Sequence, residues 1–261
     1  MATRTTAIVN LKGGVAKSTT AINMAAILAK EHGKRVCIVD ADSQCNTTEF
    51  FGVDSQLHNL AFVLRDVQSC ENPGAFAAAQ IKKTSFEGVD ILAGDDSLMD
   101  LDLSKVEQGT VSANALRFLV EEVKARYDHI LIDCPPAFNA ASAAALIAAD
   151  DVVIPIKLDA FSLRGMANLM RQVKNMKRIN PRLNVAGVLP TMWYKDENIV
   201  SAEKQLKDAG LRVFHHIRRS DKVDRMTFQQ EPLLVSSPNS AAGVDYRKFV
   251  KEYLGGKRNG F

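Results

Sequence analysis

Residues 10–20 read NLKGGVAKSTT, a glycine-bearing turn that leads into the start of a helix. The preceding residues 5–9 are mostly apolar or β-branched, which predicts a short buried strand. A strand, a turn and a helix N-terminus in this order predict a phosphate site, because backbone N–H groups and the helix dipole converge there and Lys17 adds a full positive charge. Ser18 stands where such loops place the hydroxyl that ligates Mg²⁺. The alternative, an ordinary flexible Gly-Gly turn, is disfavoured by the flanking strand and helix.

The loop departs from the common GxxxxGK[ST] pattern at two positions. Leu11 stands in place of the first glycine and Ala16 in place of the glycine before the lysine. What remains is a glycine pair between two lysines, which resembles the deviant Walker A box of the ParA/MinD group of P-loop ATPases. The resemblance implies that eight residues bind ATP: Lys12, Gly13, Gly14, Val15, Ala16, Lys17, Ser18 and Thr19. It also implies that Lys12 joins Lys17 in catalysis, by reaching across a dimer interface to phosphates bound by the other subunit.

Ala16 is the unusual residue of this loop, since most relatives carry glycine there. If the position requires a positive φ, alanine costs on the order of 1 kcal/mol. If the position is already helical, nothing is lost. The sequence leaves both possibilities open.

A pair of carboxylates, Asp40 and Asp42, follows the predicted second strand at residues 35–39. The carboxyl end of a buried parallel strand is where open α/β sheets bind ligands, and carboxylates in such a crevice need partners. The alternative is a pair of turn-forming aspartates. The stretch resembles the DxDPQ box of the ParA family, which implies that Asp42 positions or activates the attacking water and that Asp40 supports the magnesium shell. Ser43 replaces the usual proline, and Cys45 replaces a common glycine.

The second strong motif is the apolar run of residues 129–132 that ends in Asp133 and is followed by Pro135 and Pro136. An apolar strand ending in aspartate is typical of a Walker B element, whose carboxylate holds Mg²⁺ through its water shell. Many core strands end in aspartate, so the motif alone is weak evidence for a magnesium site. It becomes strong evidence because a predicted phosphate loop precedes it in the chain. The Asp-x-Pro-Pro form is again similar to the ParA family. The predicted magnesium residues are therefore Ser18, Asp40 and Asp133.

Strand-like segments alternate with helical ones along the chain, at about residues 5–10, 35–40, 89–93, 128–133, 151–156, 184–189 and 212–217. This order predicts a doubly wound, mostly parallel α/β sheet with helices on both faces, as in P-loop NTPases. The sequence has no linker rich in proline, glycine or serine and no internal repeat. We therefore expect one domain over residues 1–261.

The composition is ordinary for a soluble globular protein, with 46% apolar and 24% charged residues among 261. No run approaches the roughly 18–20 apolar residues of a membrane span, and the N-terminus lacks the apolar core of a secretory signal. We therefore expect a cytoplasmic protein. The four cysteines form no CxxC pair, which argues against a zinc site or a disulfide framework. The net charge of +3 does not by itself indicate a polyanion partner.

The densest cluster of basic residues lies within residues 211–231, and the predicted last helix, about residues 241–254, adds more. Phosphate contacts need only lysine or arginine on a common surface, without base readout. In ParA proteins the corresponding segment contributes to sequence-independent DNA binding. The resemblance makes candidate DNA-binding residues of Arg219, Lys222, Arg225, Arg247, Lys248 and Lys251. The alternative is that these cations form only a solvated surface. The basic face of the predicted helix over residues 162–177 is likewise either an interaction surface or a solvated face. His215 and His216 are adjacent, so on a strand they would point to opposite sides.

The resemblance covers essentially the entire chain and matches the short type without an N-terminal helix-turn-helix domain. It implies an ATPase of DNA partitioning that binds ATP and Mg²⁺ and closes as a homodimer. The dimer would bind double-stranded DNA on the nucleoid and leave it after hydrolysis stimulated by a ParB-like partner. One alternative is a MinD-like positioning ATPase, but residues 253–261 have too few apolar residues for a membrane helix. Another is a nucleotide-gated regulatory scaffold with little hydrolysis, for which Ala16, Ser43 and Cys45 leave room.

Overall fold

A seven-stranded sheet lies at the centre of the computed structural model, which describes residues 2–256 (for Leu163, the backbone alone). Its strands, in chain order, are β1 (Arg4–Ile8), β2 (Val36–Asp40), β3 (Lys82–Lys83), β4 (Val89–Leu92), β5 (His129–Asp133), β6 (Asp151–Lys157) and β7 (Asn184–Thr191). The spatial order is β3-β4-β2-β5-β1-β6-β7, and only the β3–β4 pair is antiparallel. The predicted mostly parallel sheet is confirmed. The short β3 was not predicted, because two lysines carry no strand pattern.

The helices of the described chain, in order, are α1 (Lys17–His32), α2 (Asn46–Phe50), α3 (Leu60–Asp66), α4 (Pro73–Ala78), α5 (Leu103–Glu107), α6 (Ala115–Val123), α7 (Ala140–Ala148), α8 (Ala160–Met176), α9 (Glu197–Asp208), α10 (Asp221–Gln229), α11 (Leu233–Ser236) and α12 (Ala241–Gly255). Two 3₁₀ turns lie at Val67–Ser69 and Asp96–Asp100.

The helices cover both faces of the sheet, as predicted. Along β2, Cys37 and Val39 join the core beneath α3, α4 and α6 to α9, whereas Val36 and Ile38 join the core beneath α1, α2 and α10 to α12. All five residues of β2 are buried. A strand that is buried on both faces has a continuous run of apolar residues in its sequence, and such runs allowed the positions of these strands to be predicted.

The strand order brings the three predicted motifs to one edge of the sheet. β1, which leads into the phosphate loop, lies between β5 and β6, and β5 in turn pairs with β2. In the register of these pairs, Asp133 lies opposite both Ile8 and Asp40. Since all three strands are parallel, the loop and both carboxylates meet at their carboxyl ends, where α/β sheets bind ligands.

The predicted strand at residues 212–217 is wrong: this segment forms only isolated bridges, of Val213 with Val188 and of Arg218 with Trp193. The N–H of Phe214 donates to the carbonyl of Val188 in β7, and the N–H of Ile217 donates to that of Pro190. A step of three residues in this segment therefore matches a step of two residues in β7. This extra residue breaks the alternation of a strand, as a bulge does.

The same irregularity corrects the prediction for the histidine pair. The rings of His215 and His216 stack with centroids 5.0 Å apart, instead of pointing to opposite sides. His216 also stacks on Trp193, with 3.8 Å between ring centroids.

Within residues 2–256, no helix is both long enough and apolar enough to span a lipid bilayer. The prediction about the C-terminal residues 253–261 falls in part outside the described residues, which end at 256. All four cysteines are free, and Cys37 and Cys134 are buried. Burial raises the pKa of the Cys134 thiol above its usual range.

Candidate nucleotide site

The phosphate loop between β1 and α1 is fixed by bonds to the neighbouring strands. The Asn10 side chain donates to the carbonyl of Pro155 (2.7 Å) and accepts from the backbone N–H of Lys12 (3.0 Å). The Thr191 hydroxyl donates to the carbonyl of Val15 (3.1 Å). Gly14 has a φ of +66°, and apart from its two chain neighbours no described residue has an atom within 4 Å of where its Cβ would be. The loop is thus fixed in place with residues 13–19 along one side of a cavity, where backbone N–H groups can bind phosphate.

Ala16 is left-handed, with φ 65° and ψ 37°, and it directly precedes α1. This decides the question that the sequence left open: the position requires a positive φ, and alanine is strained there. Cys45 is left-handed as well, with φ 53°, and precedes α2. Both positions therefore hold a side chain in the region of backbone space that favours glycine, at a cost on the order of 1 kcal/mol each.

An Ala16→Gly variant is expected to raise the free energy of unfolding by about 1 kcal/mol, because glycine relieves the left-handed strain. Chemical denaturation without nucleotide measures the change. The matched control is Ala29→Gly, in the right-handed interior of the same helix, which is expected to lower stability by about 1 kcal/mol. Destabilisation by both changes would contradict the strained conformation of Ala16.

The two loop lysines point in different directions. Lys17 is only 6% exposed, and its ammonium donates to the carbonyl of Lys12 (3.4 Å). Burial lowers the pKa of Lys17, and the charges of Asp133 and Asp42 oppose that effect. The Lys12 ammonium instead binds Asp159 Oδ2 (2.7 Å) beside the start of α8. Only Lys17 is therefore directed into the loop.

Asp133 is fully buried and has one unused oxygen. Its Oδ2 accepts from the Thr47 hydroxyl (2.7 Å), whereas Oδ1 has no partner of normal geometry in the described chain. Burial raises the pKa of Asp133 to about 6, an effect that the hydroxyls of Ser18 and Thr47 partly oppose. An orphaned carboxylate oxygen near a hydroxyl is a donor set that fits Mg²⁺.

Asp40 is buried too, but both of its oxygens are occupied. Oδ2 accepts from the backbone N–H (2.8 Å) and the hydroxyl (2.7 Å) of Thr48, and Oδ1 from the N–H of Asp42 (3.3 Å). Burial and the neighbouring charge of Asp133 raise the pKa of Asp40 to about 7. Asp40 thus anchors α2 and the Asp42 loop, which fits a supporting role behind the metal and not direct ligation.

Asp42 borders the same cavity as the phosphate loop and is 5% exposed. Its Oδ1 accepts the backbone N–H of Gln44 (3.1 Å). This bond fixes the orientation of the carboxylate. The carboxylate lies close enough to Lys17 to affect its pKa. A carboxylate held beside the expected phosphate position can accept a hydrogen bond from a water molecule and so orient it.

The cavity has a volume of about 900 Å³ and extends from the phosphate loop past Thr191 and Met192 to α10. Its far end is lined by the apolar side chains of Ile217, Val223 and Met226. The volume and the mixed lining suit a nucleotide. The contribution of α10 was missed, because the sequence drew attention only to its cations and gave no signal for its inner face.

The candidate DNA-binding residues do not share one environment. Arg225, Lys248 and Lys251 are exposed on α10 and α12, which pack on the same face of the sheet. Arg219 lines the nucleotide cavity, and Arg247 is paired with Glu31 at 2.5 Å.

Two further cations of this region are paired within the chain. Lys222 Nζ lies 3.5 Å from Asp221. The neighbouring Arg218 forms two bonds, of 2.8 and 2.9 Å, to the buried carboxylate of Asp245. The exposed positive surface is therefore smaller than the basic cluster in the sequence.

Comparison with known proteins places these features in context. A family model described as an AAA domain matches residues 3–185. The chain is 33% identical over 264 residues to the chromosome partitioning protein ParA of Caulobacter vibrioides, covering 98% of this chain and 96% of that protein.

Two solved structures extend the comparison. The fold is similar to apo McdA of Cyanothece, with a TM-score of 0.82, 23% identity, and coverage of 97% and 100%. A cobyrinic acid a,c-diamide synthase of Mycobacterium smegmatis, solved with an ATP analogue and magnesium, gives a TM-score of 0.78 and 26% identity over 99% of this chain and 98% of that one.

Proposed function

The chain belongs to the ParA family of P-loop ATPases, and from this premise we propose that it is a DNA-partitioning ATPase whose ATP-bound homodimer binds double-stranded DNA without sequence preference. One observation carries the proposal. Helix α10 lines the nucleotide cavity with Val223 and Met226 and presents Arg225 to solvent. Nucleotide and DNA would therefore contact opposite sides of one helix, so that one can influence the other.

ATP would be held by residues 12–19, with Lys17 on its phosphates. Ser18 and the free oxygen of Asp133 would hold Mg²⁺, which supplies positive charge at the phosphates when bound. Asp42 would orient the water that attacks the terminal phosphate, giving ADP and phosphate. Asp40 would keep Asp42 in place through its bond to the Asp42 backbone.

Dimerisation would complete the site, because Lys12 would reach the phosphates bound by the second subunit. The Lys12 side chain is 38% exposed, in contrast to the buried Lys17, so a second subunit could engage it. ATP can drive such closure only through its higher affinity for the closed state. A ParB-like partner would stimulate hydrolysis and so return the protein to the monomer, off the nucleoid.

The test is binding to an arbitrary-sequence DNA duplex, measured by fluorescence anisotropy with ATP-Mg²⁺ and with ADP-Mg²⁺. We expect salt-sensitive binding with ATP alone, because only the dimer would place two sets of cations on one duplex. Equal, weak binding in both nucleotide states would contradict the proposed gating.

The surface that binds DNA can be tested in the same assay. An Arg225→Ala/Lys248→Ala variant is expected to weaken binding uniformly across sequences and to reduce the slope of log affinity against log salt by roughly 4, because each subunit of the dimer loses two cations. The matched control is Arg171→Ala/Lys174→Ala, which removes two exposed cations from α8 on the opposite face of the sheet. An equal loss in both variants would contradict the assignment to α10 and α12.

A second candidate is a nucleotide-gated regulator that barely hydrolyses ATP. The strained backbone at Ala16 and Cys45, in the two loops that flank the phosphate position, favours it. A sensitive phosphate-release assay, run with DNA and the cognate partner, separates the two functions. Stimulated release supports the partition ATPase, and nucleotide-dependent DNA binding without release supports the regulator.

A further inference from the structure

Lys12 is held within its own subunit by a small and specific arrangement at the start of α8. Its ammonium donates to Asp159 Oδ2 at 2.7 Å and to the Ser162 hydroxyl at 3.0 Å. Asp159 is also the N-cap of α8, and there it uses its other oxygen: Oδ1 accepts from the Ser162 N–H (2.8 Å) and hydroxyl (2.9 Å). One carboxylate therefore serves two separate partners, the helix through Oδ1 and Lys12 through Oδ2.

This arrangement competes with the proposed role of Lys12 across the dimer interface. Two of the three donors of the ammonium are engaged on the same subunit, so the amine must give up at least part of these bonds to bind phosphates of another. Partial burial opposes ionisation of Asp159, yet the hydrogen bonds from Lys12 and Ser162 lower its pKa to about 2. The carboxylate of Asp159 is therefore ionised at neutral pH.

The pair is also weak enough to exchange. The side chains of Lys12 and Asp159 are 38% and 30% exposed, and ion pairs that water reaches contribute little to stability. A bound triphosphate carries more negative charge than one carboxylate and can replace it. When Lys12 leaves, the bonds of Asp159 Oδ1 to Ser162 remain, so the first turn of α8 keeps its cap.

We propose that Asp159 is a positioning residue for Lys12, which it retains on its own subunit until the nucleotide of a second subunit displaces it. Asp159 thereby sets the protein and ATP concentrations at which the dimer closes. Ser162 assists by taking a second donor of the ammonium. The inference rests on the proposed function, since it requires that Lys12 binds phosphates across the interface.

The variant Asp159→Asn tests the proposal, because asparagine caps a helix as well as aspartate but carries no charge for Lys12. In sedimentation velocity with a non-hydrolysable ATP analogue and Mg²⁺, we expect the dimer Kd to fall about 2- to 30-fold, because each of the two subunits releases one such ion pair. The matched control is Asp196→Asn, at the N-cap of α9, whose carboxylate accepts the N–H groups of Asn198 and Ile199. This control should leave the dimer Kd unchanged.

The effect must act through Lys12, and a double-mutant cycle shows whether it does. In a Lys12→Ala background, Asp159→Asn should no longer change dimerisation. A second readout needs no dimer: without nucleotide, competitive acylation should modify Lys12 faster in Asp159→Asn than in the parent. An unchanged or higher dimer Kd, or an unchanged acylation rate of Lys12, would overturn the proposal.

The failure of this inference and the failure of the proposed function give different results. If the parent dimerises with the analogue, Lys12→Ala dimerises measurably but more weakly, and Asp159→Asn matches the parent, then only the role of Asp159 is wrong. If Lys12→Ala dimerises as well as the parent, Lys12 has no role across the interface, and the positioning role of Asp159 is overturned with it.

Discussion

An Asp42→Ala variant is expected to bind ATP nearly as well as the natural sequence but to hydrolyse it roughly 100- to 10,000-fold more slowly. The carboxylate lies in the nucleotide cavity, nearly buried and oriented by the backbone N–H of Gln44, whereas the backbone bond of Asp42 to Asp40 survives its truncation. The substitution should therefore remove a water-orienting group and leave the loop in place. Nucleotide binding by calorimetry and phosphate release with DNA and the cognate partner measure the two quantities.

Glu71→Ala is the control for this prediction. Glu71 is an exposed carboxylate that does not line the cavity. Its removal should change turnover by less than about twofold, because surface substitutions away from the reacting groups have small effects. Turnover that survives in Asp42→Ala would remove Asp42 from its proposed role.

A Lys17→Ala variant is expected to lose roughly 100-fold or more in affinity for ATP-Mg²⁺. A charge-assisted bond to phosphate is worth roughly 1.5–3 kcal/mol. Lys17 is buried within electrostatic reach of Asp133 and Asp42, so its loss also removes a positive charge that offsets the repulsion between these carboxylates and the phosphates. Calorimetric titration measures the affinity, and thermal unfolding confirms that the variant is folded.

Lys30→Ala is the control for Lys17, because Lys30 lies on the same helix, at its exposed end, and pairs with Glu87 on the surface. Its affinity for ATP-Mg²⁺ should match that of the parent. Binding that persists in Lys17→Ala would mean that the backbone of the loop and Mg²⁺ hold the phosphates without this lysine.

The loop and the three aspartates, Asp40, Asp42 and Asp133, were predicted from sequence because each motif is local. A strand buried on both faces is a continuous apolar run, and a ligand group at its end follows directly in the chain, as Asp133 follows β5. The alternation of such runs with helices then limits the topology to a mostly parallel sheet. Chain-local information was sufficient for the fold class and for the phosphate end of the site.

The apolar far end of the cavity was not predictable in the same way. The segment before α10 has one extra residue in its hydrogen bonding to β7, and this irregular pairing interrupts the alternation by which a strand is predicted from sequence. Met226 is apolar, but its placement against the cavity follows from how α10 packs on the sheet. The spacing of apolar residues in a sequence indicates that a helix has a buried face. It does not indicate whether that face packs on the sheet or lines a cavity.

By itself, the sequence determined the strand order along the chain, the phosphate loop and the carboxylates at the strand ends, since these depend on neighbours in sequence. Only the tertiary structure decided that Ala16 is left-handed, because that φ is imposed by the loop that joins β1 to α1. It also decided that Lys12 is held by Asp159, a residue 147 positions away. Such contacts depend on which elements the sheet brings together, and no local pattern of side chains encodes them.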